Sequence, residues 1–193
     1  RTTGGNADFS IFPSEIASGA TGPAGTGNII VEAREINLRN AGVITSETES
    51  LTPNVQHGSI TITAQEMLQI SGNAIRTDFP ENPQLNDPRP EDSAHGRTIR
   101  TSGIFARTSG TNPAGDIEIM AHDLVVTGGA RITNDALGFN IENAGSASKI
   151  LITAENAFTL SGAAPVGDKF GTQLSSIVSS GTQGPGNSGE ITI

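Results

Sequence analysis

One string recurs along this chain: Gly27-Asn-Ile-Ile-Val-Glu-Ala33, Gly58-Ser-Ile-Thr-Ile-Thr-Ala64, Gly115-Asp-Ile-Glu-Ile-Met-Ala121, Ser148-Lys-Ile-Leu-Ile-Thr-Ala154 and Gly189-Glu-Ile-Thr-Ile193. The third position is Ile in every copy, the fifth is Val31 or Ile, and the seventh is Ala wherever the copy reaches it. The fourth position drifts through Ile30, Thr61, Glu118, Leu151 and Thr192. A fixed parity beside a drifting one is the period-two signature of a strand with one packed and one solvated face. A helix does not repeat at i, i+2 and i+4.

Each copy continues alike. A second apolar stretch follows (Ile36/Leu38, Leu68/Ile70, Val125/Val126, Phe158/Leu160) and ends at Asn40, Gly72, Gly128 or Gly162, residue types that tolerate positive φ. A third stretch comes next in Val43-Ile-Thr, Ala74-Ile-Arg-Thr and Ala130-Arg-Ile-Thr. Successive copies begin 31, 57, 33 and 41 residues apart. The long step contains an 18-residue segment, Phe79 to Gly96, with Pro80, Pro83, Pro88 and Pro90 and the acids Glu81, Asp87, Glu91 and Asp92. It reads as a loop inserted into one repeat.

Three short strands cannot bury a face alone, and an isolated pair is marginal. Stacking one repeat on the next, ~4.8 Å apart, sets Ile over Ile and pairs each strand with the one below. The expectation is an all-β fold: a parallel β-helix (solenoid) of about five to six coils, with residues 1–193 as a single β-helical segment. A β-sandwich also offers short alternating strands and Gly/Pro turns, but it gives no reason for the same string to head every unit. A solenoid needs few large side chains per turn, so 34% hydrophobic content with 24 Gly does not imply disorder. Neither end carries the polar cap expected of a solenoid terminus, and the chain reads as an internal stretch of a longer protein.

Composition removes several functions. The absence of Cys excludes a disulfide framework, a thiolate metal site and a thiol nucleophile. No apolar run reaches the ~18 residues of a membrane-spanning helix, and residues 1–10 lack the apolar core of a signal peptide. A net charge of −9 opposes nucleic-acid binding, which needs a basic face.

Strings such as Gly-Asp-Ile-Glu-Ile-Met-Ala-His-Asp-Leu (115–124), Leu160-Ser-Gly-Ala-Ala and Gly-Asn-Ser-Gly-Glu-Ile-Thr-Ile (186–193) resemble the filamentous haemagglutinin-like large exoproteins of two-partner secretion, most nearly the cyanobacterial members with degenerate G-x-I-x-I-x-A repeats. The resemblance covers nearly all of the chain from Gly27 onward. It implies a right-handed β-helix, export through an outer-membrane secretion barrel, a secreted or cell-surface location, and work as an adhesin or structural filament. The family's N-terminal secretion domain is not recognisable in these residues.

Candidate chemistry is sparse. Gly184-Pro-Gly-Asn-Ser-Gly189 spells G-x-G-x-x-G but runs into a strand, whereas a dinucleotide site needs a helix there. His57, His95 and His122 stand far apart without metal-ligand spacing, and His122 occupies a slot held elsewhere by Arg34, Gln65 and Glu155, which reads as solvated. Glu35, Glu66 and Asp123 are expected to stack as an acidic column, the one arrangement that suggests a carbohydrate-active enzyme, a polysaccharide lyase or hydrolase. Without Trp or Tyr the usual sugar-stacking platforms are missing. Thr61/Thr63 begins a Thr-x-Thr face that no other copy continues, and the calcium-binding nonapeptide is absent. The sequence therefore assigns no catalytic residue, no cofactor and no metal site. Recognition of a host-cell, surface or carbohydrate ligand is expected at loop 79–96, since long loops on rigid scaffolds carry binding.

Overall fold

The structure is a computed structural model that describes residues 14–76, 98–138, 141–165 and 173–193. The first strand is β1 (Glu15–Ala20). Repeat one supplies β2 (Ile29–Arg39) and β3 (Val43–Thr48). Repeat two supplies β4 (Ile60–Ser71), the short pair β5 (Asn73–Arg76) and β6 (Thr98–Thr101), and β7 (Gly103–Thr108). Repeat three supplies β8 (Ile117–Thr127) and β9 (Arg131–Ala136). Repeat four supplies β10 (Ile150–Ser161), the pair β11 (Ala163–Pro165) and β12 (Gln173–Ser175), and β13 (Ile177–Thr182), after which comes β14 (Ile191–Thr192).

The long strands form one five-stranded sheet in the order β2-β4-β8-β10-β14, and the shorter ones form a second, β1-β3-β7-β9-β13. Every pairing within these two sheets is parallel. The chain visits the sheets alternately, and each return pairs with the strand one repeat earlier. The fold is all-β, with no helix among the described residues, and the arrangement is consistent with a β-helix or related solenoid.

The pairing register follows the repeated string. Ile29, Ile60, Ile117, Ile150 and Ile191 are direct neighbours in succession, as are Val31, Ile62, Ile119 and Ile152 and then Ala33, Ala64, Ala121 and Ala154. Ile60, Ile62, Ile117, Ile119 and Ile150 are fully buried in one core cluster with Leu68, Ile70, Leu124, Val126, Ile104 and Ile132. The opposite parity faces out, Ile30 being 67% exposed and Met120 42%. Burying one such branched side chain contributes roughly 1.5–3 kcal/mol, so the aliphatic columns supply the main cohesion between coils.

Two sequence expectations are corrected. In repeat three the inward pair of the second stretch is Leu124/Val126, while Val125 lies opposite Gln69. The cause is a change of register after Ala64 and after Ala154, where repeats two and four carry one more residue at the bend than repeat three. In repeat two the stretch that stacks on Val43-Ile44-Thr45 is Gly103-Ile104-Phe105. Ala74-Ile-Arg instead belongs to β5, which pairs antiparallel with β6 and stands outside both main sheets. The inserted loop 79–96 itself lies outside the described residues.

The glycine that heads the string has a packing reason. A Cβ on Gly58 would collide with the carbonyl oxygen of Gly27, one on Gly115 with that of Gly58, and one on Gly189 with that of Ser148. Inward polar side chains of the second sheet serve the same column. Ser46 Oγ donates to the Gly58 carbonyl at 2.8 Å, Asn134 Nδ2 to the Gly115 carbonyl at 2.7 Å, and Ser180 Oγ to the Ser148 carbonyl at 2.9 Å. Asn134 also accepts from the Ser148 amide at 2.8 Å. In a neighbouring loop the buried Asn112 acts similarly, donating to Ser50 and Thr52 carbonyls at 3.2 and 2.7 Å. Backbone groups buried by stacking thus find partners, as groups withdrawn from water require.

Two substitutions test this packing. Gly115→Ala forces the stacked backbones apart and is expected to destabilise by about 2 kcal/mol or more, whereas Gly22→Ala, with nothing within 4 Å of the new Cβ, stays within about 0.5 kcal/mol of the parent. A third, Ile119→Ala, leaves a cavity in a filled column and is expected to cost about 2–5 kcal/mol. Chemical denaturation followed by circular dichroism reads all three variants, and equal midpoints for the two glycine variants would contradict the stacking.

Candidate functional site

Two corners of the coil carry the polar residues that could meet a ligand. The first lies at the bend inside each long strand, between the Ala column and the second apolar stretch. Because repeats one and three place one residue there and repeats two and four place two, the side chains interleave. Arg34 Nε donates to Glu66 Oε1 at 2.6 Å, His122 Nδ1 lies 3.4 Å from Glu155 Oε2, and Asn156 Nδ2 donates to Asp123 Oδ1 at 2.8 Å. The expected acidic column of Glu35, Glu66 and Asp123 is not a single register column, and a basic or amide partner from a neighbouring coil engages both Glu66 and Asp123. Glu35 and Asp123 both lie opposite Met67, while Glu66 sits in the bend with Arg34.

The electrostatics are those of a solvated ladder. The Arg34 hydrogen bond is the first cause holding the Glu66 carboxyl below the usual carboxylate range, and the Arg34 charge acts in the same direction against a partial desolvation. The same hydrogen bond and the Glu66 charge hold the Arg34 guanidinium above its ordinary value. The side chains of Arg34, Glu66, His122 and Glu155 all stand at least half open to water, or close to it. This is the environment of an ion pair across coils. Glu66 is held down, not raised by burial in the way a general acid requires. Among the described residues no group of three His, Asp or Glu is placed to hold a metal ion.

The second corner, between the two main sheets, is where the coils differ most. Repeats one and three turn through four residues, Arg39-Asn40-Ala41-Gly42 and Thr127-Gly128-Gly129-Ala130, closed by Gly42 N donating to Arg39 O at 2.9 Å and Ala130 N to Thr127 O at 3.3 Å. Their middle residues take φ of 52° and 65° at Asn40 and Ala41, and 62° and 82° at Gly128 and Gly129. Repeats two and four keep the first and last of these positions and open between them. Gly72 (φ 77°) leads into β5 and Gly162 (φ 75°) into β11. Ser102 and Ser176 rejoin the coil, their amides donating to the Gly72 and Gly162 carbonyls at 3.0 Å each. The result is a pair of antiparallel arms, β5 with β6 and β11 with β12, that leave the coil at one corner.

The returning serines also finish the neighbouring tight turns. Ser102 Oγ accepts from the Ala41 amide at 3.0 Å, and Ser176 Oγ accepts from the Gly129 amide at 3.0 Å while donating to Ser161 O at 2.8 Å. The first arm leads directly into the Pro-rich segment 79–96. Reading the sequence found that segment but not the second arm, because the stretch 163–175 carries no proline cluster and its repeat no length anomaly as large as 57 residues.

Other candidates resolve into structure. Gly184–Gly189 is a bend and loop between β13 and β14. His57 lies in the loop before Gly58, its Nδ1 buried and without a hydrogen-bond partner among the described residues; His95 lies outside the described residues. On the outer face of the second sheet Phe105 is only 6% exposed, because its ring lies over Gly103 and under the Arg107 guanidinium, 4.4 Å from the ring centre. An outward aromatic covered by an arginine gives no open stacking surface for a sugar.

The ladder makes a pH-resolved prediction. Glu66 should titrate below the ordinary carboxylate range in a carbon-detected NMR titration, and Arg34→Gln should return it toward that range. A lowered folded-state pKa means that the Arg34–Glu66 pair adds stability above the unfolded-state pKa and loses it as pH falls through the lower folded value. An unshifted Glu66 in the parent would show the pair to be absent in solution.

No protein family, no curated protein and no solved structure matches this chain.

Proposed function

We propose that the chain is a right-handed parallel β-helical stretch of a secreted surface exoprotein, similar to the filamentous haemagglutinin-like proteins, which acts in adhesion and has no enzymatic activity. Right-handed winding follows from the strong preference of parallel crossovers for that hand. Export through an outer-membrane barrel belongs to the same reading, which the G-x-I-x-I-x-A string supports. The observation that carries the adhesive role is the armed corner. The longest insertion in the repeats is flanked by an antiparallel ribbon outside both main sheets, and long insertions on rigid scaffolds are where recognition concentrates. The partner is a cell surface or a carbohydrate, not nucleic acid, given the net charge of −9.

The competing enzymatic reading leans on Glu66 and Asp123. Both carboxylates are engaged by neighbours across coils, which favours a structural use for them.

The test is deletion of 79–96. Beads coated with the parent chain should be retained on cultured epithelial cells or on alginate- or dextran-coated surfaces, and beads carrying the deletion should lose most of that retention while the unfolding midpoint stays put. Undiminished retention would leave the chain a spacer. Depolymerisation of alginate or pectin by the parent, abolished in Glu66→Gln or Asp123→Asn, would replace the adhesive reading with the enzymatic one.

A further inference from the structure

The two arms grow from the same place in the coil. Ser71, Thr127 and Ser161 are register neighbours, and so are Gly103, Arg131 and Ile177 at the far side of the corner. Between these fixed points repeat three has three residues, 128–130, whereas repeats two and four have 72–102 and 162–176. The arms are thus insertions into one and the same turn, two coil steps apart. Two steps of ~4.8 Å make about 10 Å, the distance at which two β-layers pack.

The intervening coil is shaped to let them meet. A Cβ on Gly129 would press on Leu174 O and Ala164 Cβ of the second arm, and Gly128 lies close against the Gly72 backbone. Ala164 is 6% exposed, so the second arm lies down over the Gly-Gly turn and does not stand free. From there Pro165 O reaches the first arm and accepts a hydrogen bond from Asn73 Nδ2 at 3.2 Å. Pro165 has no amide of its own to offer the ladder, and its carbonyl is aimed sideways at the neighbouring arm.

We propose that the second arm is a brace for the first, and that Asn73 is the positioning residue through which it acts. The brace fixes β5 and β6, the strands that flank segment 79–96 in sequence, against the stack. The brace stands on the geometry above; its use in recognition rests on the adhesive reading of 79–96.

Hydrogen-exchange mass spectrometry of the full chain tests the brace without any ligand. Three variants are compared with the parent: Asn73→Ala, a chain in which residues 163–175 are replaced by one glycine so that repeat four turns as repeat three does, and the combination. In Asn73→Ala, amides of 73–76 and of the partner strand 98–101 should exchange about fivefold faster, the factor that one hydrogen bond of ordinary net strength represents, while exchange along Ile60–Ser71 is unchanged. The arm replacement should accelerate the same amides at least as much. Adding Asn73→Ala to it should then change nothing further, because the two changes remove one interaction. Unchanged exchange in Asn73→Ala, or effects that simply multiply in the combination, would overturn the brace. Should the arm replacement unfold the stack, Asn73→Ala alone decides, with unchanged exchange at 98–101 counting against the proposal. Bead retention separates the two readings: faster exchange with full retention leaves the brace standing and removes recognition from 79–96.

Discussion

Parallel pairing of each coil with the one beneath it is the constraint on which the rest of this molecule depends. At a spacing of ~4.8 Å a backbone position answers to whatever occupies the same position one coil away, so a residue is selected by its vertical neighbours more than by its sequence neighbours. Ile over Ile and Ala over Ala satisfy that demand with branched or small side chains of matched volume, and close-packed interiors tolerate little else. The heading glycine is the same demand felt by the main chain: the carbonyl one coil down occupies the space a Cβ would need.

The constraint has an electrostatic side. Stacking withdraws loop carbonyls and amides from water at every corner, and each must then find a partner. Here the partners come from inward Ser and Asn of the second sheet, Ser46, Asn134 and Ser180 among them, and from the returning serines Ser102 and Ser176. Interior positions that look like polar faults in an apolar core are the groups that make the glycine column and the tight turns tolerable. The outward corner solves the lesser problem of like charges stacked in a row by alternating Arg34 with Glu66 and His122 with Glu155, each pair bridging adjacent coils or facing the next.

The register of the repeated string was legible because its signal is redundant, with Ile at the third position and Ile or Val at the fifth in five copies and Ala at the seventh in four; that this string and the second stretch form one long strand, Ile60–Ser71 in repeat two, was not. The second stretch was legible in three repeats, as Ile36/Leu38, Leu68/Ile70 and Phe158/Leu160, and misread in parity in repeat three. The extra residue at the bends of repeats two and four shifts the inward set by one, and only pairing partners reveal it, so Leu124 rather than Val125 faces the core. The third stretch was misplaced in repeat two because Ala74-Ile75-Arg76 mimics it locally, whereas the segment that stacks, Gly103-Ile104-Phe105, lies on the far side of an insertion. The polar corner failed as an acidic column for the same reason as the parity. A one-residue difference in bend length decides which of Glu35, Glu66 and Asp123 become neighbours, and it puts Arg34 beside Glu66 instead.

The arms follow from the same arithmetic of spacing. One coil step is too small to seat two antiparallel ribbons side by side, since packed β-layers need about twice that distance. Arms on adjacent repeats would collide, and arms three coils apart would not touch. Alternation is the arrangement that brings two ribbons into contact, and it requires the coil between them to turn without a projecting side chain. Repeat three does so through Gly128-Gly129, whereas repeat one, whose turn faces only one arm-bearing coil among those described, uses Asn40-Ala41. The contacts at Gly129, where a Cβ would press on Leu174 O and Ala164 Cβ, are what a stack must show if the second arm is packed against the coil and is not an independent loop.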